Sequence, residues 1–259
     1  MLNLNYIKYE MHDDGIAFIN LNNKPVNALS IELIEELENV IEHLYNEPKC
    51  RLIIFRSLQK HFSAGADLKQ RKKMTIQKTN DFLDKINKVF NKIQNFPMPT
   101  IASINGAALG GGLELALCCD FRVASDNAYV GLPETSLGII PGAGGIIRLS
   151  NLIGLSKSKY WIFTAQKFSS ESAQDDGVID FISKDNELLG VTLEIAQEIL
   201  DNAPLAIKAS KNLFNKYIET SAKLYGAQKE CYESVINSED KIEAINAFLD
   251  KRKPLWKNK

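Results

Sequence analysis

Residues 100–124 read TIASINGAALGGGLELALCCDFRVA, and this run constrains the fold more than any other stretch of the chain. Thr100 to Ile104 and Phe121 to Ala124 have the apolar, β-branched character of buried strands. Between them a glycine-rich loop, Gly106 to Gly112, leads into Leu113 to Cys118, apolar on every side and therefore a helix with no face for water. Strand, short buried helix and strand in so few residues demand a packed α/β layer. One residue of the helix does not belong in such a layer on hydrophobic grounds. Glu114 is a carboxylate on an otherwise apolar surface, and burying it is costly unless it is paired or put to use.

The flanking segments agree with a layered α/β body. Tyr6 to Tyr9 and Ile16 to Leu21 read as a hairpin about Asp13, Asp14 and Gly15, with Pro25 and Asn27 closing the second strand. Ser30 is placed to cap a helix whose apolar stripe is Ile34, Leu37, Ile41 and Leu44, with Glu32, Glu35, Glu36, Glu38 and Glu42 on its outer side. Arg51 to Ser57 is a buried strand, and Phe82, Ile86, Val89, Phe90 and Ile93 share one face of a helix ended by Pro97 and Pro99. Beyond Gly177 strand signals nearly cease. The chain is read as a body over residues 1–190 and a helical region over 191–259, although no Gly/Ser or Pro linker marks the boundary.

Composition narrows the function classes. The 259 residues are 45% apolar and 24% charged, which suits a folded globular chain. Lys and Arg number 31 against 32 Asp and Glu, so no overall field draws in nucleic acid or an anionic membrane. Four cysteines, Cys50, Cys118, Cys119 and Cys231, lack any CxxC pair and read as reduced, packed thiols. His12, His43 and His61 show no metal-ligand or triad spacing. With no apolar run of about 18 residues and no basic leader, a cytoplasmic chain without a membrane partner is expected.

The glycine clusters invite a phosphate reading, which fails. Gly106 and Gly111 have P-loop spacing, but Gly112 and Leu113 stand where Lys and Ser/Thr are needed. Neither this loop nor Pro141 to Gly145 spells GxGxxG, so a dinucleotide site has no support. Glycine at a helix start serves another purpose: it bares a backbone N–H that can stabilise a developing oxyanion. Gly111 is so placed, with Glu114 about one turn along on the same face. The small-residue turn Phe62 to Leu68 can bare a second N–H, and Glu134, directly after Pro133, brings a second acid at a helix start.

These motifs, FSAGADLK, INGAALGGGLELALCCDFRVA, GLPETSLGIIPGAGG and AFLDKRKP, resemble the crotonase (enoyl-CoA hydratase/isomerase) superfamily from the LNNKPVNAL segment to Pro254. The resemblance implies an α/β fold, a spiral of ββα units with a C-terminal helical region, assembled as a homotrimer or homohexamer. It implies an acyl-CoA thioester substrate, with no separate cofactor and no metal, since coenzyme A is part of the substrate. By the same resemblance Ala66 and Gly111 supply the two oxyanion-hole amides. Ala64, Gly65, Asp67, Leu68 and Lys69, with Phe248 and Lys251, lie on the coenzyme A side; Pro133 and Gly142 lie on the acyl side. Glu114 and Glu134 occupy both acid positions of the hydratases.

Two acids suit reversible syn addition of water to a 2-enoyl-CoA, giving a 3-hydroxyacyl-CoA. Glu114 is expected to activate water and Glu134 to deliver the α-carbon proton. A Δ3,Δ2-enoyl-CoA isomerase needs only one acid and is the alternative. Methylglutaconyl-CoA hydratase specificity is another, because AGADLKQRKKM is closest to that branch. Some members of that branch bind AU-rich RNA through a lysine-rich helix. Here the Ile31 to Glu47 helix carries six glutamates and no Lys or Arg, the wrong sign for phosphate, so no nucleic-acid partner is expected.

Overall fold

The computed structural model describes residues 2, 4–219, 233, 236 and 238–255. Strands β1 (Ile7–Met11) and β2 (Ile16–Leu21) form the expected antiparallel hairpin. Then β3 (Leu52–Ser57), β4 (Thr100–Ile104), β6 (Phe121–Ser125) and β9 (Phe181–Ser183) add in parallel, giving a six-stranded sheet of order β1-β2-β3-β4-β6-β9. A second sheet contains β5 (Ala107–Leu109), β7 (Tyr129–Gly131) and β8 (Phe168–Ser169). The chain steps from the large sheet to the small one twice, β4 to β5 and β6 to β7, and this alternation generates the spiral.

β5 lies inside the segment expected to be a loop. Ala107 to Leu109 pairs in parallel with Tyr129 to Gly131. Both strands are three residues long and small or glycine-flanked, too short to show periodicity; only the pairing partner makes them strands.

Each face of the large sheet is covered, so its central strands are apolar on both sides. On one face Ala17, Ile19, Leu21, Ile53 and Phe55 join the cores of α1 (Ile31–Tyr45) and α3 (Ile76–Gln94). On the other, Ile16, Phe18, Leu52, Ile54, Ile101 and Val123 meet Leu188, Ala196 and Leu200 of α8 (Leu188–Leu200). The boundary expected between residues 190 and 191 falls within α8, whose buried side is part of this second core. α9 (Pro204–Glu219) is tied back by Lys211, whose buried ammonium donates to Asp120 Oδ2 at 2.6 Å and to the Met98 carbonyl at 2.9 Å. Cys50, Cys118 and Cys119 are free and buried, while Cys231 lies outside the described residues.

α1 begins where Ser30 accepts a hydrogen bond from Leu33 N, and Leu37, Ile41 and Leu44 point inward as expected. Its acidic face is not idle: Glu35 pairs with Lys85 at 2.6 Å, Glu38 with Lys88 and Lys92, and Glu42 with Lys92, joining α1 to α3. Glu36 departs from the expectation of an outer position. It is buried, and its carboxylate accepts from the amides of Asn5, Tyr6 and Ile7 at 2.7, 2.8 and 3.0 Å. These N–H groups at the start of an edge strand lack a neighbouring strand, and a carboxylate is the strongest acceptor available to them. Replacing Glu36 by Ala leaves three donors unsatisfied, a loss of about 2–4 kcal/mol. Urea unfolding measures it; a change below about 0.5 kcal/mol would mean the carboxylate contributes nothing.

Candidate active site

Two turns meet at the joint between the sheets. The first, residues 62–67, leaves β3 and enters the short helix α2 (Leu68–Lys72), whose N-terminus is capped by Asp67 through Gln70 N at 3.0 Å. It is pinned on two sides. Ser63 N donates to the Ala107 carbonyl and Leu109 N to the Ser63 carbonyl, both at 3.0 Å. Opposite, Leu29 N donates to the Gly65 carbonyl at 2.8 Å and Ala64 N to the Val26 carbonyl at 3.0 Å. Asn27 locks the entrance, its amide donating to the His61 and Phe62 carbonyls and to Ser57 Oγ at 2.7 Å.

The second turn enters α4 (Gly111–Ala116), where Gly110 has φ +53° and Gly111 is the first helical residue, as expected. The glycines let the two turns touch. A methyl at Gly65, where φ is +90°, would stand 2.6 Å from the Leu109 carbonyl oxygen and 3.4 Å from Gly111 N. A methyl at Gly111 would stand 3.9 Å from Ala66 N, and one at Gly112 would lie 2.4 Å from the Ser63 carbonyl oxygen. The Ala66 and Gly111 amides are therefore neighbours, and neither donates to a protein acceptor among the described residues.

The carboxylates close the other side. Glu114 is buried, and its Oε1 accepts from Ala143 N and Gly145 N, both at 2.8 Å. Its Oε2 lies 3.9 Å from where a Gly111 methyl would be. Glu134, in the 3₁₀ turn Pro133–Leu137, is also buried, and its Oε1 lies 2.9 Å from where a Gly110 methyl would be. Adjacent glycines thus seat the two acids side by side. Glu134 Oε2 is buried without a hydrogen-bond partner among the described residues.

Their electrostatics differ in kind. Burial raises the Glu114 carboxyl, but the Gly145 and Ala143 amides and the charges of Arg148 and Arg71 oppose the rise. Burial pushes Glu134 well above the usual carboxylate range, and the charge of Glu114 pushes it further. The backbone N–H of Glu134 itself opposes the rise. When the two share one charge, Glu114 holds it and Glu134 keeps the proton.

The remaining expected residues are placed less uniformly. Ala64, Gly65, Asp67 and Leu68 form the pinned turn, and Pro133 begins the Glu134 segment. The Gly142 carbonyl accepts from Asn87 Nδ2 at 2.7 Å. Lys69 is exposed on α2, and Phe248 is exposed on the final described helix, α10 (Glu239–Leu249). Lys251 is exposed just beyond it with φ +55°. α10 abuts the Glu134 segment, where a methyl on Gly138 would lie 2.8 Å from Lys241 Cα. Asn27, Asn87, Asn91 and Arg148 were absent from the expected site. The recurrence of uncharged amides at Asn87, Asn91 and Gln94 beside the apolar stripe of α3 was the available signal.

The sequence matches the enoyl-CoA hydratase/isomerase family over residues 11–259. The chain belongs to that family. It is 42% identical over 248 residues to a probable mitochondrial enoyl-CoA hydratase 2 of Arabidopsis thaliana, covering 94% of this chain and 82% of the relative. It is 40% identical over 255 residues to the mitochondrial methylglutaconyl-CoA hydratase of Mus musculus, covering 96% and 81%. A crystal structure of an enoyl-CoA hydratase from Bacillus anthracis superposes with a TM-score of 0.81 at 36% identity, covering 98% of this chain and all of that one. The α/β architecture is the crotonase fold of this family. Among the described residues no helix is long and apolar enough to cross a membrane.

The raised Glu134 carboxyl has a consequence for stability. Below its unfolded-state value both states are protonated and nothing is lost. As pH rises above that value the unfolded chain ionises freely while the native site resists, so native stability declines with pH. Glu134→Gln removes this penalty: its melting temperature should exceed that of the wild type by more at pH 8 than at pH 5. A gap that narrows over that range would contradict the assignment.

Proposed function

We propose that this family member catalyses reversible syn hydration of a 2-enoyl-CoA thioester to a 3-hydroxyacyl-CoA. The observation that carries the reading is the side-by-side seating of an amide-held carboxylate and a second buried carboxyl whose Oε2 lacks a partner among the described residues, facing two bare backbone amides. In this reading the thioester oxygen lies between Ala66 N and Gly111 N, which stabilise the negative charge that gathers there as water adds. The dipole of the short helix beginning at Gly111 acts in the same direction.

Glu114 is the base. One of its oxygens is committed to two amides, so the other, beside Gly111, takes a proton from the attacking water. Glu134 is the acid, and its protonated carboxyl, with Oε2 free of protein partners among the described residues, delivers a proton to the α-carbon. Both act from one side of the substrate, which gives syn addition. After the step Glu114 carries the proton and Glu134 the charge, and exchange through water restores the starting state. Dehydration runs the same steps backward.

Ala64 to Leu68 are assigned to the coenzyme A side, with Lys69, Phe248 and Lys251 at its outer edge. Assembly as a trimer or a dimer of trimers accords with the large apolar side chains left exposed, among them Phe163, Leu205, Leu213 and Phe214.

Incubation with a panel of 2-enoyl- and 3-enoyl-CoA thioesters tests the reaction. Loss of the conjugated absorbance with a hydroxyacyl product is expected, whereas a shifted double bond without water addition would make the protein an isomerase. A branched dicarboxylic substrate such as 3-methylglutaconyl-CoA in the panel reads the acyl preference. Glu114→Gln and Glu134→Gln should each lower kcat by about 100- to 10,000-fold. Near-normal turnover in either variant would overturn the two-acid mechanism.

A further inference from the structure

The two amides that hold Glu114 come from the turn 142–145, which is Gly-Ala-Gly-Gly and has no side chain long enough to anchor itself. Its anchor comes from elsewhere. Asn87 Nδ2 on α3 donates to the Gly142 carbonyl at 2.7 Å and to the Leu83 carbonyl at 2.8 Å. The Gly142 carbonyl and the Ala143 N–H are opposite ends of one trans peptide, so holding the oxygen aims the hydrogen. That hydrogen goes to Glu114 Oε1 at 2.8 Å. Polarising the carbonyl also strengthens the N–H as a donor.

The next peptide is held by α5 (Gly145–Ile153). Arg148, buried to 5% exposure, donates from Nη1 to the Ala143 carbonyl at 2.6 Å. Its Nη2 donates to Asn91 Oδ1 at 2.8 Å and its Nε to Gln94 Oε1 at 2.7 Å. Asn87, Asn91 and Gln94 recur at spacings of four and three, so one face of α3 backs the whole turn. The guanidinium fork fits three acceptors in fixed directions, which a lysine ammonium does not reproduce.

We infer that Asn87 and Arg148 are positioning residues for Glu114, acting through the peptides of the 142–145 turn to fix where the water-activating carboxylate sits. The inference rests on the proposed role of Glu114 and extends it to residues that touch neither substrate nor water. The guanidinium also acts through space. Among the described residues, four groups face the Glu114 carboxyl: Arg148 on α5, Arg71 on α2, Glu134 on the 3₁₀ turn, and the Cys118 thiol just beyond α4. Removing Arg148 leaves the other three in place, so the ionisation of Glu114 moves upward in pH.

Three variants test this: Asn87→Ala, Arg148→Met and Arg148→Lys. Hydration of a 2-enoyl-CoA gives kcat and KM across pH. Infrared difference titration of the carboxyl bands, assigned with Glu114→Gln, reads the ionisation of Glu114 without turnover. Asn87→Ala should lower kcat about 10-fold with KM within about 2-fold, since a displaced base loses rate rather than affinity. Arg148→Met should lower kcat about 100-fold and move both the acid limb of kcat and the infrared midpoint upward. Arg148→Lys should return the midpoint toward the wild type while recovering little of kcat.

Wild-type kcat and an unmoved Glu114 band in Asn87→Ala and Arg148→Met would overturn the inference. So would losses that vanish once rates are referred to the folded fraction measured by circular dichroism. If the wild type hydrates none of the thioesters, the proposed reaction fails; the infrared titration then decides the positioning inference by itself.

Discussion

Two carboxyl groups are buried beside one another in this protein, and only one of them receives amide donors from a distant turn. Glu114 accepts from two amides of a distant turn at 2.8 Å and feels two guanidinium charges, whereas Glu134 meets burial and the charge of its neighbour, opposed by its own backbone N–H. Like charges this close in a low-dielectric site do not both ionise, so the asymmetry of partners decides which keeps its proton. An ionised and a protonated carboxyl therefore arise from the same residue type, set apart by backbone hydrogen bonding and neighbouring charge.

That asymmetry requires glycine at several neighbouring places. Gly65, Gly110, Gly112 and Gly145 each stand where a methyl group would come within 2.9 Å of a backbone or carboxylate atom, and one at Gly111 would come within 2.8 Å of Leu29 Cδ1. Close approach puts the Ala66 and Gly111 amides beside one another and seats each acid against its own glycine. A single added carbon separates the turns or tilts a carboxylate, so the precision of the site comes from atoms that are missing.

The rigidity behind the glycines comes from the helices that cover the large sheet. α3 supplies the Asn87, Asn91 and Gln94 face toward the 142–145 turn, and α1 braces α3 through the Glu35, Glu38 and Glu42 ion pairs. Exposed ion pairs of this kind contribute little energy singly. Their bearing on the site is geometric: they sit on the outer side of the helix whose inner polar face holds the turn. Core packing of Phe82, Ile86, Val89, Phe90 and Ile93 supplies most of the attachment.

The amino-acid sequence by itself determined the layered α/β class, the hairpin, the capped helix after Ser30 and the helix start at Gly111. Each of these is written in local periodicity, capping chemistry or glycine placement, which act over a few residues. It misplaced Glu36, because five glutamates on one helix look alike until the unpaired amides of Asn5, Tyr6 and Ile7 arrive beside one of them. It missed β5 and β7, whose three-residue lengths carry no period and whose pairing spans some 20 residues. It passed over Asn87 and Arg148, polar residues that on a helix look solvated. Only the tertiary structure decided which carboxylate receives amide donors from a distant turn. That difference depends on a turn nearly 30 residues beyond Glu114 folding back onto it, and hydrogen bonds between distant segments leave no mark in the local pattern of either one.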